Sequence, residues 1–389
     1  MLFGGLKKVS PNLERLELCR TTAEKDFSIT LKFISGSMPS LRDLRLTHIN
    51  PTREILNLRC LVHLELVNPH PSLTAILDLV ASNPRLETIV LCVRCAGQTD
   101  PRPKGAVLIP RLRTLEFDFY SPLPLFHQLS IPRGASVSFS VWDSTRGQEV
   151  ILPDSLEHLQ NLSEVRNLYV QRKHRHLVEA SGPSGEVKFE NIGDPLPELR
   201  RLPLELVEKF RYAEDPPSLE THGKELDRTW IFKTVGRLRN LQTLVIGCCG
   251  LEVMKIIFCL LSPQIDRVPG VPPRRGTLPC PTLSTVVLEA PRDGTWNEWI
   301  TPFLDMLYMR AAAGSRLKKV RIVTSRGVHV PRPGEAKRRQ MAKLVPWVEV
   351  KSLWYENDGE INEQRAEELF EWQHGGHCFS RGGQRAMGT

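Results

Sequence analysis

The apolar positions of this chain fall into one recurring string, Leu-x-x-Leu-x-Leu, often with a proline two residues before the first leucine. It reads PNLERLEL from Pro11, PSLRDLRL from Pro39, CLVHLEL from Cys60, PRLETIVL from Pro84 and PRLRTLEF from Pro110. A weaker copy is VRNLYV from Val165, and SVSFSVW at Ser136 alternates in the same manner. The string resumes as PELRRLPL from Pro197, NLQTLVI from Asn240, PTLSTVVL from Pro281, SRLKKVRI from Ser315 and VKSLWY from Val350. Alternation over the last four residues of each string predicts a short strand, because side chains two apart share a face of a strand. The first five strands are expected at 15–18, 43–46, 63–66, 88–91 and 114–117, in one parallel sheet with Leu16, Leu44, Leu64 and Leu115 facing inward. The prolines belong just before each strand, since proline cannot donate a sheet hydrogen bond.

Between the strings lie segments with helical period. In LTAILDLVASNP, Leu73, Ile76, Leu77 and Val80 share one helical face, and Asn83-Pro84 stops the helix. In WNEWITPFLDMLYMRAAAG the expected face is Trp296, Trp299, Ile300, Phe303, Leu304, Leu307 and Tyr308, with Gly314 ending the helix. Strand, helix and strand again is a right-handed parallel arrangement, and each unit leaves its apolar side bare until a neighbour stacks on it. The fold expected is therefore an α/β solenoid: a curved parallel sheet with helices on its convex side, in about eleven or twelve irregular units. Residues 1–178 form an N-terminal arc and 179–225, rich in Pro and Gly, an irregular insertion or hinge. Residues 226–373 form a C-terminal arc with an acidic terminal helix, and 374–389 a disordered tail.

Composition adds limits. Of 389 residues, 41% are hydrophobic and 25% charged, which suits a chain with a core rather than a disordered one. The 30 prolines argue against a coiled coil or a simple helical bundle. The longest apolar stretch, Ile256–Leu261, is far too short for a membrane span, and the opening MLFGGLKKVS holds no signal-peptide core. Nine cysteines, including Cys92 and Cys95 as one C-x-x-C, read as reduced thiols. The expectation is a cytoplasmic or nuclear protein without membrane contact. No nucleotide-binding loop, nucleophile elbow or zinc-protease motif is present, so no enzyme activity, cofactor or metal is expected. HGGHC at His374–Cys378 offers three of the four ligands a structural zinc needs, and reads as a flexible tail.

With these strings in view, the chain resembles the fungal F-box/leucine-rich-repeat proteins. The resemblance rests on PNLERLEL, on LSIPRGASVSFS at Leu129–Ser140, on CPTLSTVVLEA and RAAAGSRLKKVRI, and on the closing VPWVEVKSLWYEND. It covers about residues 10 to 373. It implies a non-catalytic recognition module that selects substrates for a cullin-type ubiquitin ligase. The family's F-box, which docks on a Skp-type adaptor, has no room before the first string at Pro11. LPLEL at Leu202–Leu206 matches the phrase that often opens an F-box, but is expected to be a further repeat strand, with Leu199, Leu202 and Leu204 inward. An adaptor contact is therefore expected only if an F-box is supplied elsewhere, and the alternative is a stand-alone scaffold.

The polar positions of the strands are the candidate site. By the resemblance they line a concave sheet that binds an unidentified protein partner. They are Arg15, Glu17, Arg45, His63, Glu65, Glu116, Asp118, Tyr169 and Gln171, with Asp43 among them. Mixed charge with one aromatic suits protein recognition better than a small-molecule pocket. A second candidate is charge. The net charge is +8, and ten bases stand against one acid from Gly314 to Lys343. Lys318, Lys319, Arg321, Lys337, Arg338 and Arg339 form the expected basic patch, a possible contact for nucleic acid or acidic partners. The favoured expectation is that the acidic segment around Glu363–Glu371 covers it and caps the solenoid.

Overall fold

The computed structural model describes residues 12–19, 38–49, 58–67, 73–93, 106–119, 126–141, 151–172, 175–214, 229–247, 249–263, 278–289, 296–325 and 335–353. The N-terminal strands are β1 (Arg15–Cys19), β2 (Asp43–Thr47), β3 (His63–Val67), β4 (Thr88–Val93), β5 (Val107–Leu108), β6 (Thr114–Phe119), β7 (Leu129–Ser130) and β8 (Ala135–Val141). After them come β9 (Asn167–Arg172), β10 (His176–Gly182), β11 (Gly185–Ile192), β12 (Lys209–Glu214), β13 (Thr243–Gly247), β14 (Thr285–Glu289), β15 (Lys319–Ser325) and β16 (Trp347–Leu353). The helices are α1 (Leu73–Ser82), α2 (Leu196–Arg201), α3 (Thr229–Val235), α4 (Leu251–Leu261), α5 (Trp296–Ala312) and α6 (Glu335–Leu344).

Fourteen strands make one sheet, in the order β1-β2-β3-β4-β6-β8-β11-β10-β9-β12-β13-β14-β15-β16, and β5 and β7 pair separately. Every neighbouring pair in the large sheet is parallel except β9–β10 and β10–β11. The fold is thus mixed α/β with a large, mostly parallel sheet. The five N-terminal strands expected from the alternation are present and parallel. Leu44, Leu64 and Leu115 are fully buried, while Leu16, on the edge strand, is half-buried because among the described residues its strand has a neighbour on one side only.

The register explains the repeated string. One apolar row runs Leu16, Leu44, Leu64, Ile89, Leu115, Val137 and Val187 across successive strands. It continues through Ala180, Leu168, Phe210, Leu244, Val286, Val320 and Val348. A second row, two residues on, runs from Leu18 to Val350 through Phe117, Phe139, Phe189, Tyr212 and Ile322. The leading residue of each string, such as Leu41, Leu61, Leu86, Val165, Leu241 or Leu317, is buried beneath the same side. Each side chain so buried contributes about 1.5–3 kcal/mol, offset largely by chain entropy.

A backbone device repeats ahead of the strands. The Glu14 carbonyl accepts the N–H groups of Arg42 and Asp43, at 2.8 and 3.0 Å. The Arg42 carbonyl accepts those of Val62 and His63, and Val62 those of Glu87 and Thr88. The same double acceptance recurs at Arg166, Glu208, Gln242 and Ser284. A proline at either donor position would remove one of these two hydrogen bonds, which accounts for prolines stopping short of it.

The helices pack on the apolar side. Ile76, Leu77 and Val80 of α1, Ile257 and Phe258 of α4, and Trp299 and Phe303 of α5 join the strand leucines in one continuous core. In α5, Trp299, Ile300, Phe303 and Leu307 face inward as expected, but Tyr308 is exposed. Its place in the core is taken by Met306 and Arg310, because the buried stripe drifts around a helix of this length. Gly314 ends α5 at φ +79°.

Three expectations are corrected. PELRRLPL is not a strand: Leu196–Arg201 is helical and Leu204–Leu206 a 3₁₀ turn, with the strand following at Lys209–Glu214. Pro195 and Pro197 suit a helix start, and the buried Glu198 carboxylate anchors α2 by accepting the N–H groups of Ile151 (2.7 Å) and Leu152 (2.9 Å). The residues that join the apolar rows there are Phe210 and Tyr212, with Val207 buried ahead of them. The last unit begins at Val345 rather than Val350, since Val348 pairs with Val320. Finally, residues 179–192 and 209–214 are strands of the continuous sheet, not a separate irregular stretch, because the β10–β11 hairpin fills the gap between β8 and β9. The expected acidic helix and tail lie outside the described residues.

Candidate interaction face

Residues that alternate with the apolar rows point to the opposite side of the sheet. All nine candidate residues stand there: Arg15 and Glu17 on β1, Arg45 on β2, His63 and Glu65 on β3, Glu116 and Asp118 on β6, Tyr169 and Gln171 on β9. The register brings the first five together and sets Tyr169 and Gln171 in a separate central group.

The N-terminal group is a chain of ion pairs around Asp43. Arg15 Nε lies 2.6 Å from one Asp43 oxygen and Arg45 Nε 3.4 Å from the other. Arg45 also reaches Glu65 Oε2 at 3.4 Å, and His63 Nε2 lies 3.6 Å from that oxygen and 3.9 Å from Asp43. Beside it, Cys92 of β4 faces an acidic surround. Burial, then Asp118, Glu65 and Glu116, push its thiol up to about 11, so it stays protonated and unreactive at neutral pH. Cys95 lies outside the described residues, and among them no three His, Cys, Asp or Glu are grouped to hold a metal ion.

The central group includes residues that string reading did not single out. The Arg211 guanidinium lies over the Tyr169 ring, 5.2 Å from its centroid, and reaches Glu289 at 3.5 Å. On the other, apolar side, at the ends of β9 and β12, Arg172 pairs with Glu214 at 3.3 Å, and Glu214 also accepts from the Tyr212 hydroxyl (2.6 Å) and the Gly250 N–H (3.2 Å). Burial first, then Glu214, pushes the Tyr212 phenol upward, so it remains a donor. Lys188 pairs with Glu190 at 2.6 Å and Glu179 at 3.7 Å. Reading KFRYAE at Lys209–Glu214 as a strand, rather than PELRRLPL, would have exposed Arg211.

At the C-terminal end, Lys319 lies over the Trp347 ring at 4.6 Å and Arg321 Nε donates to Glu349 at 2.8 Å. Trp347 is 59% exposed, a large apolar ring on the same face as Val245 and Val287. The expected basic patch is divided. Lys319 and Arg321 lie on the open face and Lys318 just before β15, whereas Lys337, Arg338 and Arg339 belong to α6, which sends Met341 into the core on the other side.

A distinct groove of about 430 Å³ lies along the N-terminal ends of the first strands. Arg42, Arg85 and Arg111 line it, together with Ser40, Glu14 and Glu87. No helix among the described residues is long and apolar enough to cross a membrane. No family model matches the chain, and no curated protein matches it either.

Proposed function

We propose that this chain is a non-catalytic protein-recognition module of the leucine-rich-repeat type, a solenoid whose open sheet face binds a protein partner. The reading is supported by one observation above all: two unbroken apolar rows bury one side of the sheet, leaving a broad opposite side on which paired charges stand among Tyr169, Trp347 and valines such as Val245 and Val287. Charges already held by neighbours lose little side-chain freedom on binding, and such a surface selects partners by charge pattern. The resemblance to F-box/leucine-rich-repeat proteins extends this to substrate selection for a cullin-type ubiquitin ligase, with the adaptor contact supplied by an F-box. LPLEL is a poor candidate for that contact, because Leu202 and Leu204 are fully buried in the core. A nucleic-acid reading has less support: the bases stand on two sides of the sheet, and Arg321 is matched by Glu349.

The test is quantitative affinity purification with proximity labelling, comparing the parent chain with Tyr169→Ala/Arg211→Glu on the face and Arg338→Ala/Arg339→Ala on α6. A partner set that is lost with the face variant and kept with the α6 variant is the expected result. An unchanged set for a folded face variant would defeat the proposal.

A further inference from the structure

The groove at the N-terminal ends of β1–β6 lies away from the open face and has a chemistry of its own. Three arginines, Arg42 just before β2, Arg85 just before β4 and Arg111 just before β6, line one cavity of about 430 Å³. All three are exposed, and none makes an ion pair with a carboxylate among the described residues. The acids of the groove do not cancel them: Glu87 is held by Arg113 at 3.5 Å, which leaves Glu14 against three cations. Ser40 adds a hydroxyl donor. Like charges gathered without counter-charge repel one another, and the arrangement is relieved by an anion that takes several at once.

The position of the arginines is set by the backbone. Arg85 and Arg111 each follow a proline, Pro84 and Pro110, and each precedes the buried leading leucine, Leu86 and Leu112. Arg42 follows the equivalent Leu41, and its carbonyl is locked by the N–H groups of Val62 and His63. The side chains therefore project from rigid, repeated backbone rather than from wandering loops. Guanidinium is a planar fork that pairs bidentately with oxyanions, and a dianion satisfies more of these donors than a carboxylate does.

We propose that this groove is a binding site for a phosphoryl group, with Arg42, Arg85 and Arg111 as its ligands and Ser40 as an additional donor. A phosphate monoester carries nearly two negative charges and three acceptor oxygens at neutral pH, which matches three forks converging from different units. The bearer of the phosphoryl group is either a phosphorylated peptide segment or a free phosphorylated small molecule.

The experiment uses the full chain and fluorescence anisotropy of a labelled peptide carrying one phosphoserine, its unphosphorylated twin, and inorganic phosphate as competitor. The phosphopeptide is expected to bind at least about tenfold tighter than the twin, to be displaced by inorganic phosphate, and to weaken as salt rises. Arg42→Ala, Arg85→Ala and Arg111→Ala are each expected to weaken it about tenfold. Arg85→Lys should restore only part of the loss, since it keeps the charge and loses the fork. Arg338→Ala/Arg339→Ala, outside the groove, should change nothing. Phosphate binding that depends on the three arginines, without any gain from the peptide, would assign the site to a free phosphorylated molecule. Equal binding of both peptides together with no arginine-dependent binding of phosphate, or indifference to the arginine variants while circular dichroism shows them folded, would overturn the proposal.

Discussion

Arg310 of α5 donates through Nη1 to the carbonyl oxygen of Leu261, the last residue of α4, at 3.0 Å. The same guanidinium reaches the carbonyls of Pro279 at 2.9 Å and Cys280 at 2.8 Å, and Ser315 Oγ at 3.0 Å. It is fully buried, and burial lowers its pKa, yet an arginine stays charged. It thus caps α4 and ties the loop before β14 to α5 beneath the sheet.

Arg310→Met is accordingly expected to cost about 3 kcal/mol, because three carbonyls lose their donor in a dry interior. Urea unfolding followed by tryptophan fluorescence measures it. A loss below about 1 kcal/mol would show that water replaces the guanidinium there.

Phe139 stacks between Phe117 at 5.0 Å and Phe189 at 5.3 Å, with Phe126 edge-on at 4.8 Å. It sits where the all-parallel N-terminal strands meet the hairpin strand β11. Phe139→Ala is expected to lose about 4 kcal/mol and Phe139→Leu about 1.5, since only the first empties the stack. The ratio of the two, from chemical denaturation, is the informative quantity.

Gly182, at the β10–β11 turn, has no room for a side chain: a Cβ there would overlap the Glu164 carbonyl oxygen. Gly134 instead has open space but a φ of +82°. Gly182→Ala should therefore prevent the hairpin from seating and abolish cooperative unfolding. Gly134→Ala should cost only about 1 kcal/mol of backbone strain. Thermal melts of both variants distinguish the two causes.

His176 gives the stability a pH dependence. Its Nδ1–H donates to the Gly193 carbonyl at 2.6 Å, and its ring stands edge-on to Trp230 at 5.9 Å. Burial lowers its pKa, a hydrogen bond to Gly193 partly opposing this, with Arg172 lowering and Asp194 raising it further. Below the ordinary histidine value the unfolded chain takes up a proton that the folded chain refuses. Stability should then fall as pH drops from about 6.5 toward the lowered folded value, and be flat above. His176→Gln should remove that slope between pH 5 and 7. Parallel curves for both proteins in denaturant titrations would count against the assignment.

Much of the sheet was written locally. Alternation in PSLRDLRL or PRLRTLEF depends only on side chains two apart, so Leu44, Leu46, Leu115 and Phe117 declared their buried side before any neighbour was known. The open-face positions of Arg45, Glu65 and Tyr169 followed from the same arithmetic. The partners of these residues did not. Arg211 finds Glu289 78 residues away, and Glu198 finds Ile151 across 47. Such distances depend on how many residues each connection spends before the next strand begins, and no periodicity encodes that. PELRRLPL carries the repeat's apolar spacing yet forms a helix, because its prolines and the amides of Ile151 and Leu152 outweigh a pattern that fits either state. The β10–β11 hairpin and the convergence of Arg42, Arg85 and Arg111 on one groove likewise arise only when the units stack. The chain by itself determined which side of each strand is apolar, since that is a property of neighbouring residues. The tertiary structure alone decided which charges meet, since strand register carries residues far apart in sequence to within 4 Å of one another.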